Sequence, residues 1–181
     1  SHFYALAAAL MTVTLASAKQ PNIEGTLGPH LVEPTMEMQQ VFSGQRFPNV
    51  VVTLDGTVLT TWGNKNVHAR RSEDGGKTSQ SPVTIADPGF QGGGTTVDEG
   101  SGDILTFVEE NHPPAKIFLF RSTDDGQTWQ KEQAKIAPDK SGNLPSMHMN
   151  EHGITLRHGK HKGRLIRPAR WYAGKNDRSR W

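Results

Sequence analysis

Ser72-Glu73-Asp74-Gly75-Gly76-Lys77-Thr78-Ser79 returns fifty positions later as Ser122-Thr123-Asp124-Asp125-Gly126-Gln127-Thr128-Trp129. Both copies read S-x-D-x-G-x-T-(W/S). Each follows a short run ending in Arg, Val67-His68-Ala69-Arg70-Arg71 and Ile117-Phe118-Leu119-Phe120-Arg121, and each leads into another strand-like segment. That order is the grammar of a hairpin. The side chains of Ser72, Asp74, Ser122 and Asp124 can accept backbone N–H groups inside the turn, Gly76 and Gly126 supply a positive φ, Thr78 and Thr128 complete the pattern, and Trp129 can pack beneath the strands. A turn repeated with its flanking strands at this period predicts a propeller blade or a similar sheet repeat. Two unrelated polar turns are the plainer alternative.

Composition agrees with that reading. The chain has 181 residues, 34% of them hydrophobic, with 19 Gly and 11 Pro, which suits short strands and many turns and predicts an all-β fold. Lys and Arg number 20 against 18 Asp and Glu, for a net charge of +2, so no nucleic-acid partner is expected. With no cysteine, disulfides, Cys-based zinc sites and thiol nucleophiles are excluded.

Residues 1–18 form a signal-peptide-like segment. The apolar, small-residue run from Phe3 to Ala18 ends in Ala16-Ser17-Ala18, an A-x-A cleavage pattern, and is too short for a good membrane span. It predicts a secreted or periplasmic protein without stable membrane insertion; a buried N-terminal helix is the alternative. Residues 19–40 read as a leader. A partial propeller is expected over 41–181: blade 1 at about 41–86, blade 2 at about 87–138, and a third, incomplete from about 145. Blade 1 runs from Val50-Val51-Val52-Thr53 through the Asp55-Gly56 turn, Thr57 to Trp62, Val67 to Arg71, and Thr78 to Ile85. Blade 2 repeats the order at Thr95-Thr96-Val97, Asp103 to Glu109, Ile117 to Arg121 and Thr128 to Ile136. Gly153 to Leu156 and Arg164 to Arg167 begin the third. A ring usually needs four blades or more, so the sequence reads as a fragment.

In such a ring the residues before each innermost strand, and the loop between its second and third strands, emerge at one end. The repeated turns lie at the other end and are structural. The channel end then receives Gln45 and Arg46, Gly63 to Asn66, Gln91 to Gly94, Glu110 to His112, Asn150 to His152, and Arg170 to Tyr172.

Gln45-Arg46-Phe47-Pro48 ahead of a strand and an Asp55-Gly56 turn, Arg70-Arg71-Ser72 entering the repeated turn, and Gly153-Ile154-Thr155-Leu156 followed by Lys162-Gly163-Arg164-Leu165 resemble the sialidase (neuraminidase) superfamily. There the turn is the Asp-box or BNR repeat, and an Arg-Ile-Pro motif opens the first blade. The resemblance spans roughly Val41 to Tyr172. It implies a six-bladed propeller, of which this chain holds roughly the first two and a half blades, and cofactor-free removal of terminal sialic acids from glycans or glycoconjugates.

By the same resemblance, Arg46 matches the first member of an arginine triad that grips the substrate carboxylate; a guanidinium fork suits that task as Lys does not. A surface salt bridge is the bland alternative for Arg46. The chain departs from the pattern in three places. Phe47 replaces the usual Ile. The loop expected to hold the acid/base Asp reads Gly63-Asn64-Lys65-Asn66, and Asn cannot donate and recover a proton at neutral pH. The remaining arginines, the Tyr nucleophile and its activating Glu are expected beyond Trp181, so this stretch alone should be inactive. Glu110, Glu151 and His152 are candidate replacement acids, with His112 also titratable at that end. Gln45, Asn64, Gln91, His112, Trp171 and Tyr172 are candidate substrate contacts, although Trp171 and Tyr172 could equally serve core packing.

His148-Met149-Asn150-Glu151-His152 spells the inverted zincin motif, yet Pro145 and Gly153 leave barely two helical turns for it. No metal and no cofactor is expected. The Lys/Arg-rich tail from Lys160 to Arg180 reads as strand-exposed charge rather than a polyanion site. The leading expectation is a sialidase-like glycoside hydrolase, with a non-catalytic carbohydrate-binding Asp-box propeller as the alternative. The sugar, the linkage and the oligomeric state are not encoded in any motif.

Overall fold

The structure is a computed structural model that describes residues 36–44, 46–91, 94–148, 152–174 and 179–180. The chain divides into two compact units, Ser1–Gln39 and Gln40–Trp181. The signal-peptide-like segment and most of the leader lie outside the described residues, as do Gln45 and Glu151. The second unit is all-β, with no helix among the described residues.

The first sheet is an antiparallel meander of β1 (Arg46–Val52), β2 (Val58–Gly63), β3 (Val67–Ser72) and β4 (Val83–Ala86), paired in chain order. Asp55-Gly56 makes the β1–β2 turn. Gly56 sits at φ 87° and donates its N–H to the Thr53 carbonyl at 3.1 Å. The second sheet holds β7 (Ile104–Glu109), β8 (Ile117–Ser122) and β9 (Gln130–Glu132). Two short strands, β5 (Phe90–Gln91) and β6 (Thr96–Val97), share the free edge of β7. Two antiparallel hairpins follow: β10 (Ile154–Thr155) with β11 (Leu165–Ile166), and β12 (Trp171–Tyr172) with β13 (Ser179–Arg180). The described sheets do not close on themselves.

Period-two alternation builds the core between the two large sheets. Leu59, Val67, Ala69, Ile85 and Ala86 of the first sheet meet Ile104 and Val108 of the second, with Val51, Phe120 and Trp129 packed at the margin. A buried hydroxyl chain runs through the same joint: Thr61 to Thr95 at 3.0 Å and Thr95 to Thr106 at 2.9 Å.

The two repeated turns are built alike. Asp74 Oδ1 accepts the Ser72 hydroxyl (2.8 Å) and the Thr78 N–H (2.9 Å), Oδ2 accepts the Thr78 hydroxyl (2.6 Å), and Ser72 Oγ accepts the Gly76 N–H (2.9 Å). Asp124 repeats each contact with Ser122, Thr128 and Gly126. The Thr78 hydroxyl and N–H, with Ser72, hold the Asp74 carboxyl down to about 2. Burial pushes Asp124 upward, but Thr128 and Ser122 outweigh it and keep that carboxyl below its ordinary range.

The second turn also reaches across to the first sheet. Arg71, buried at the end of β3, donates Nε to the Asp125 carbonyl (2.7 Å) and Nη2 to Asp125 Oδ2 (2.8 Å), and the Thr57 hydroxyl bonds the same carboxylate. Gly126, at φ 83°, lies where a Cβ would stand 2.9 Å from Leu59 Cδ1. Trp129 donates its indole N–H to the Gly126 carbonyl at 3.2 Å while its ring covers the core.

The third segment docks on β6. The Gly153 N–H meets Thr96 Oγ1 (3.0 Å), the Glu99 N–H meets Thr155 Oγ1 (3.0 Å), and Arg157 makes two 2.7 Å bonds to Glu99. Successive segments are thereby stitched side by side, and loops from each reach one end of the unit.

Candidate functional site

That end carries a cluster of five rings drawn from five parts of the chain. Phe47 follows Arg46 in β1 and adopts a left-handed φ of 56°, inside the stretch where the β1–β2 register shifts between Arg46 and Asn49. A non-glycine residue there stores local strain. Its ring meets His148 edge-on at 5.0 Å and Phe90 at 6.0 Å. Phe90 contacts His148 (4.8 Å) and His112 (5.9 Å), and His112 in turn contacts His148 (5.1 Å) and Tyr172 (5.7 Å). Tilted and edge-to-face contacts of this kind add about 0.5–1.5 kcal/mol per pair beyond area burial. Arg46 is exposed at the margin, its guanidinium carbon 4.6 Å from the centre of the Phe47 ring.

His112 stands in the loop after β7, closed by the Glu110 N–H on the Lys116 carbonyl at 2.9 Å. Its imidazole is exposed, and its Nδ1 lies 2.9 Å from the Pro113 carbonyl oxygen. His148 is buried at the centre of the cluster.

Beneath the rings lies a carboxyl group that no motif announces. Glu109, the last residue of β7, is fully buried. Its Oε1 accepts the Ser146 hydroxyl (2.7 Å) and the Met147 N–H (3.1 Å), and Ser146 Oγ accepts the N–H of His148 (3.2 Å). Ser146 also forms a β-bridge with Arg170, two residues before Tyr172. Burial pushes the Glu109 carboxyl up to about 7, against the pull of Ser146, Met147 and the charges of Arg167 and Arg170. Glu109 Oε2 has no hydrogen-bond partner among the described residues, nor do Nε and Nη2 of Arg167. Arg167 bonds the Gly94 carbonyl through Nη1, lies over the Phe107 ring at 5.2 Å, and is drawn down to about 10 by its burial, with Glu109 opposing.

Of the residues expected at this end, the structure gathers Arg46, His112 and Tyr172 around the rings and sends others elsewhere. Glu110 is exposed and lines a separate cleft with Phe118, Phe120 and Lys131. His152 is exposed in a cleft with Val50, Val52, Glu99 and Ile154, away from the His148 ring cluster, so the two imidazoles of the H-x-x-E-H stretch face different clefts. Trp171 lines another cleft with Pro138 and Leu144, because neighbouring residues of a strand point to opposite faces. Asn64 sits in a tight loop, its N–H on the Asn66 carbonyl at 3.1 Å, while the Lys65 carbonyl takes the Gly89 N–H at 2.9 Å. Gln91 pairs with Val108 through its backbone. Among the described residues no group of three or more His, Asp or Glu is arranged to hold a metal, and no helix is long and apolar enough to cross a membrane.

Reasoning from motifs missed Glu109, and it placed His148 only in the H-x-x-E-H stretch and not among the rings. The signal for Glu109 was present in the strand alternation. Leu105, Phe107 and Glu109 share one face of β7, so Glu109 points toward the third segment and Glu110 points away.

No family model matches the chain. It is 29% identical to a sialidase of Micromonospora viridifaciens over 208 aligned positions, which take in 90% of this chain and 32% of that protein. The chain thus spans about a third of the length of the curated relative it matches. Among solved structures, a protein of unknown function from Dyadobacter fermentans DSM 18053 superposes with a TM-score of 0.50 at 21% identity, covering 81% of this chain and 49% of that one, a likeness of fold alone. The described residues are thus all-β, and the sequence is weakly similar to that sialidase over most of the chain.

Proposed function

We propose that this chain is part of a secreted or periplasmic glycoside hydrolase of sialidase type, built on a propeller, that acts on terminal anionic sugars of glycoconjugates. The observation that carries the reading is the exposed Arg46 guanidinium on the Phe47 ring, at the margin of a cluster that Phe90, His112, His148 and Tyr172 complete. A planar cation beside rings and imidazoles offers a bidentate partner to a sugar carboxylate and apolar surface to the sugar ring. The 29% identity to a sialidase supports it. In the full-length protein, Arg46→Ala should lower turnover of a 4-methylumbelliferyl α-sialoside by about two orders of magnitude, as expected for a lost bidentate charge contact. Unchanged turnover in a folded variant would remove Arg46 from the site.

A second reading is a non-catalytic carbohydrate-binding propeller, favoured by Asn64 and Asn66 in the loop where the resemblance leads one to expect an acid. Binding of sialosides by a protein that releases no sialic acid would select it.

A further inference from the structure

We propose that His112 is the general acid of this site, transferring its proton through Nε2. The inference rests on the glycoside-hydrolase reading. The Asn64–Asn66 loop contains neither a carboxyl nor an imidazole, Glu110 faces another cleft, and Glu109 is fully buried and cannot touch a substrate. His112 is exposed, on a loop tied at its base, and seated edge-on against Phe90, His148 and Tyr172.

Its one hydrogen bond settles the roles of the two nitrogens. The partner of Nδ1 is the carbonyl of Pro113, at 2.9 Å, and a carbonyl only accepts, so Nδ1 keeps its proton. The second nitrogen, Nε2, is then the one that gains and loses a proton. An imidazole held at one nitrogen by an acceptor, on an exposed residue, is an arrangement suited to proton transfer. In the reaction, the Nε2 proton passes to the glycosidic oxygen as the C–O bond to the anomeric carbon breaks, and the bond electrons stay on that oxygen. Neutral Nε2 then takes a proton from the water that adds to the anomeric carbon, which restores the imidazolium. Glu109 serves as a positioning residue, holding Ser146, Met147 and through Ser146 the backbone of His148 against which His112 rests.

The test compares leaving groups in the full-length protein. His112→Asn keeps a donor for the Pro113 carbonyl but cannot give up and recover a proton as a general acid and base. For 3′-sialyllactose, whose sugar leaving group needs protonation, turnover should fall by about 10²–10⁴-fold. For an aryl sialoside, whose leaving group departs with little help, the fall should be less than about tenfold. Equal losses on both substrates, or none on either, overturn the assignment while leaving the hydrolase reading intact. Should H112N not fold, H112Q is read by the same criterion. A wild-type protein inactive on both substrates overturns the hydrolase reading itself, and this inference with it.

Discussion

Glu109 is the residue on which local chemistry and stability meet. A fully buried carboxyl with two donors on one oxygen and none on the other favours its neutral form, and its pKa rises from 4.5 to about 7. The folded state therefore binds a proton that the unfolded state has released. The stabilisation is complete below pH 4.5 and is lost as the pH rises through about 7, a difference of about 3 kcal/mol. Glu109→Gln keeps an acceptor for Ser146 and Met147 and removes the titration. Urea midpoints of the variant should stay level between pH 5 and about 7.5 where those of the parent decline; parallel curves would contradict the buried assignment. Gly126 makes a second residue-scale case. A methyl group there would be strained at φ 83° and would press on Leu59, so Gly126→Ala should cost about 1–3 kcal/mol in denaturant unfolding, and a loss below about 0.5 kcal/mol would argue against that packing.

At the scale of elements, the second repeated turn works as a clamp between sheets as well as a hairpin turn. Arg71 ends β3 buried, and Asp125 supplies both a carbonyl and a carboxylate to it across the joint. Without Asp125, Arg71 keeps Glu73 (3.0 Å) and Gln80 (2.8 Å), and without Arg71, Asp125 keeps the Thr57 hydroxyl; Arg71→Ala and Asp125→Ala should each cost about 1–3 kcal/mol, and the double variant should cost less than their sum by about 1 kcal/mol. Additivity within about 0.5 kcal/mol in that cycle would mean that the contact is not coupled. The hairpin was legible from S-x-D-x-G-x-T, because its Asp, Ser, Gly and Thr act within eight residues of one another. The clamp was not, since Arg71 and Asp125 stand 54 positions apart and nothing local marks them as partners. The strands of the first sheet were readable for the same reason as the hairpin: β-branched runs and Gly turns are local signals, whereas the split of the first strand of the second sheet into β5 and β6 depends on how the free edge of β7 is covered.

For the whole molecule, two sets of carboxyls act in opposite directions. Asp74, Asp124, Asp125 and Asp139 are all held below their ordinary range, so their contribution is present above about 4 and is lost as the pH falls, for Asp74 toward about 2. Glu109 loses its contribution as the pH rises. Stability should therefore peak at mildly acidic pH, at about 4–5, in urea unfolding of the full-length protein; a maximum at or above pH 7 would show that these groups do not dominate. The site belongs to this scale too. Arg46, His112 and Tyr172 come to one end because three successive segments are stitched side by side, while Glu110, His152 and Trp171, each close in sequence to a cluster member, face other clefts. By itself, the sequence determined the all-β class, the strands of the first sheet and the two repeated turns, because alternation, turn chemistry and repetition are short-range. Only the tertiary structure decided that the second turn clamps the first sheet, that the carboxyl beneath the rings is Glu109, and that His112 rests against Phe90, His148 and Tyr172. Those outcomes depend on which face a strand buries and which distant carbonyl or guanidinium it meets, and both are set by packing between segments.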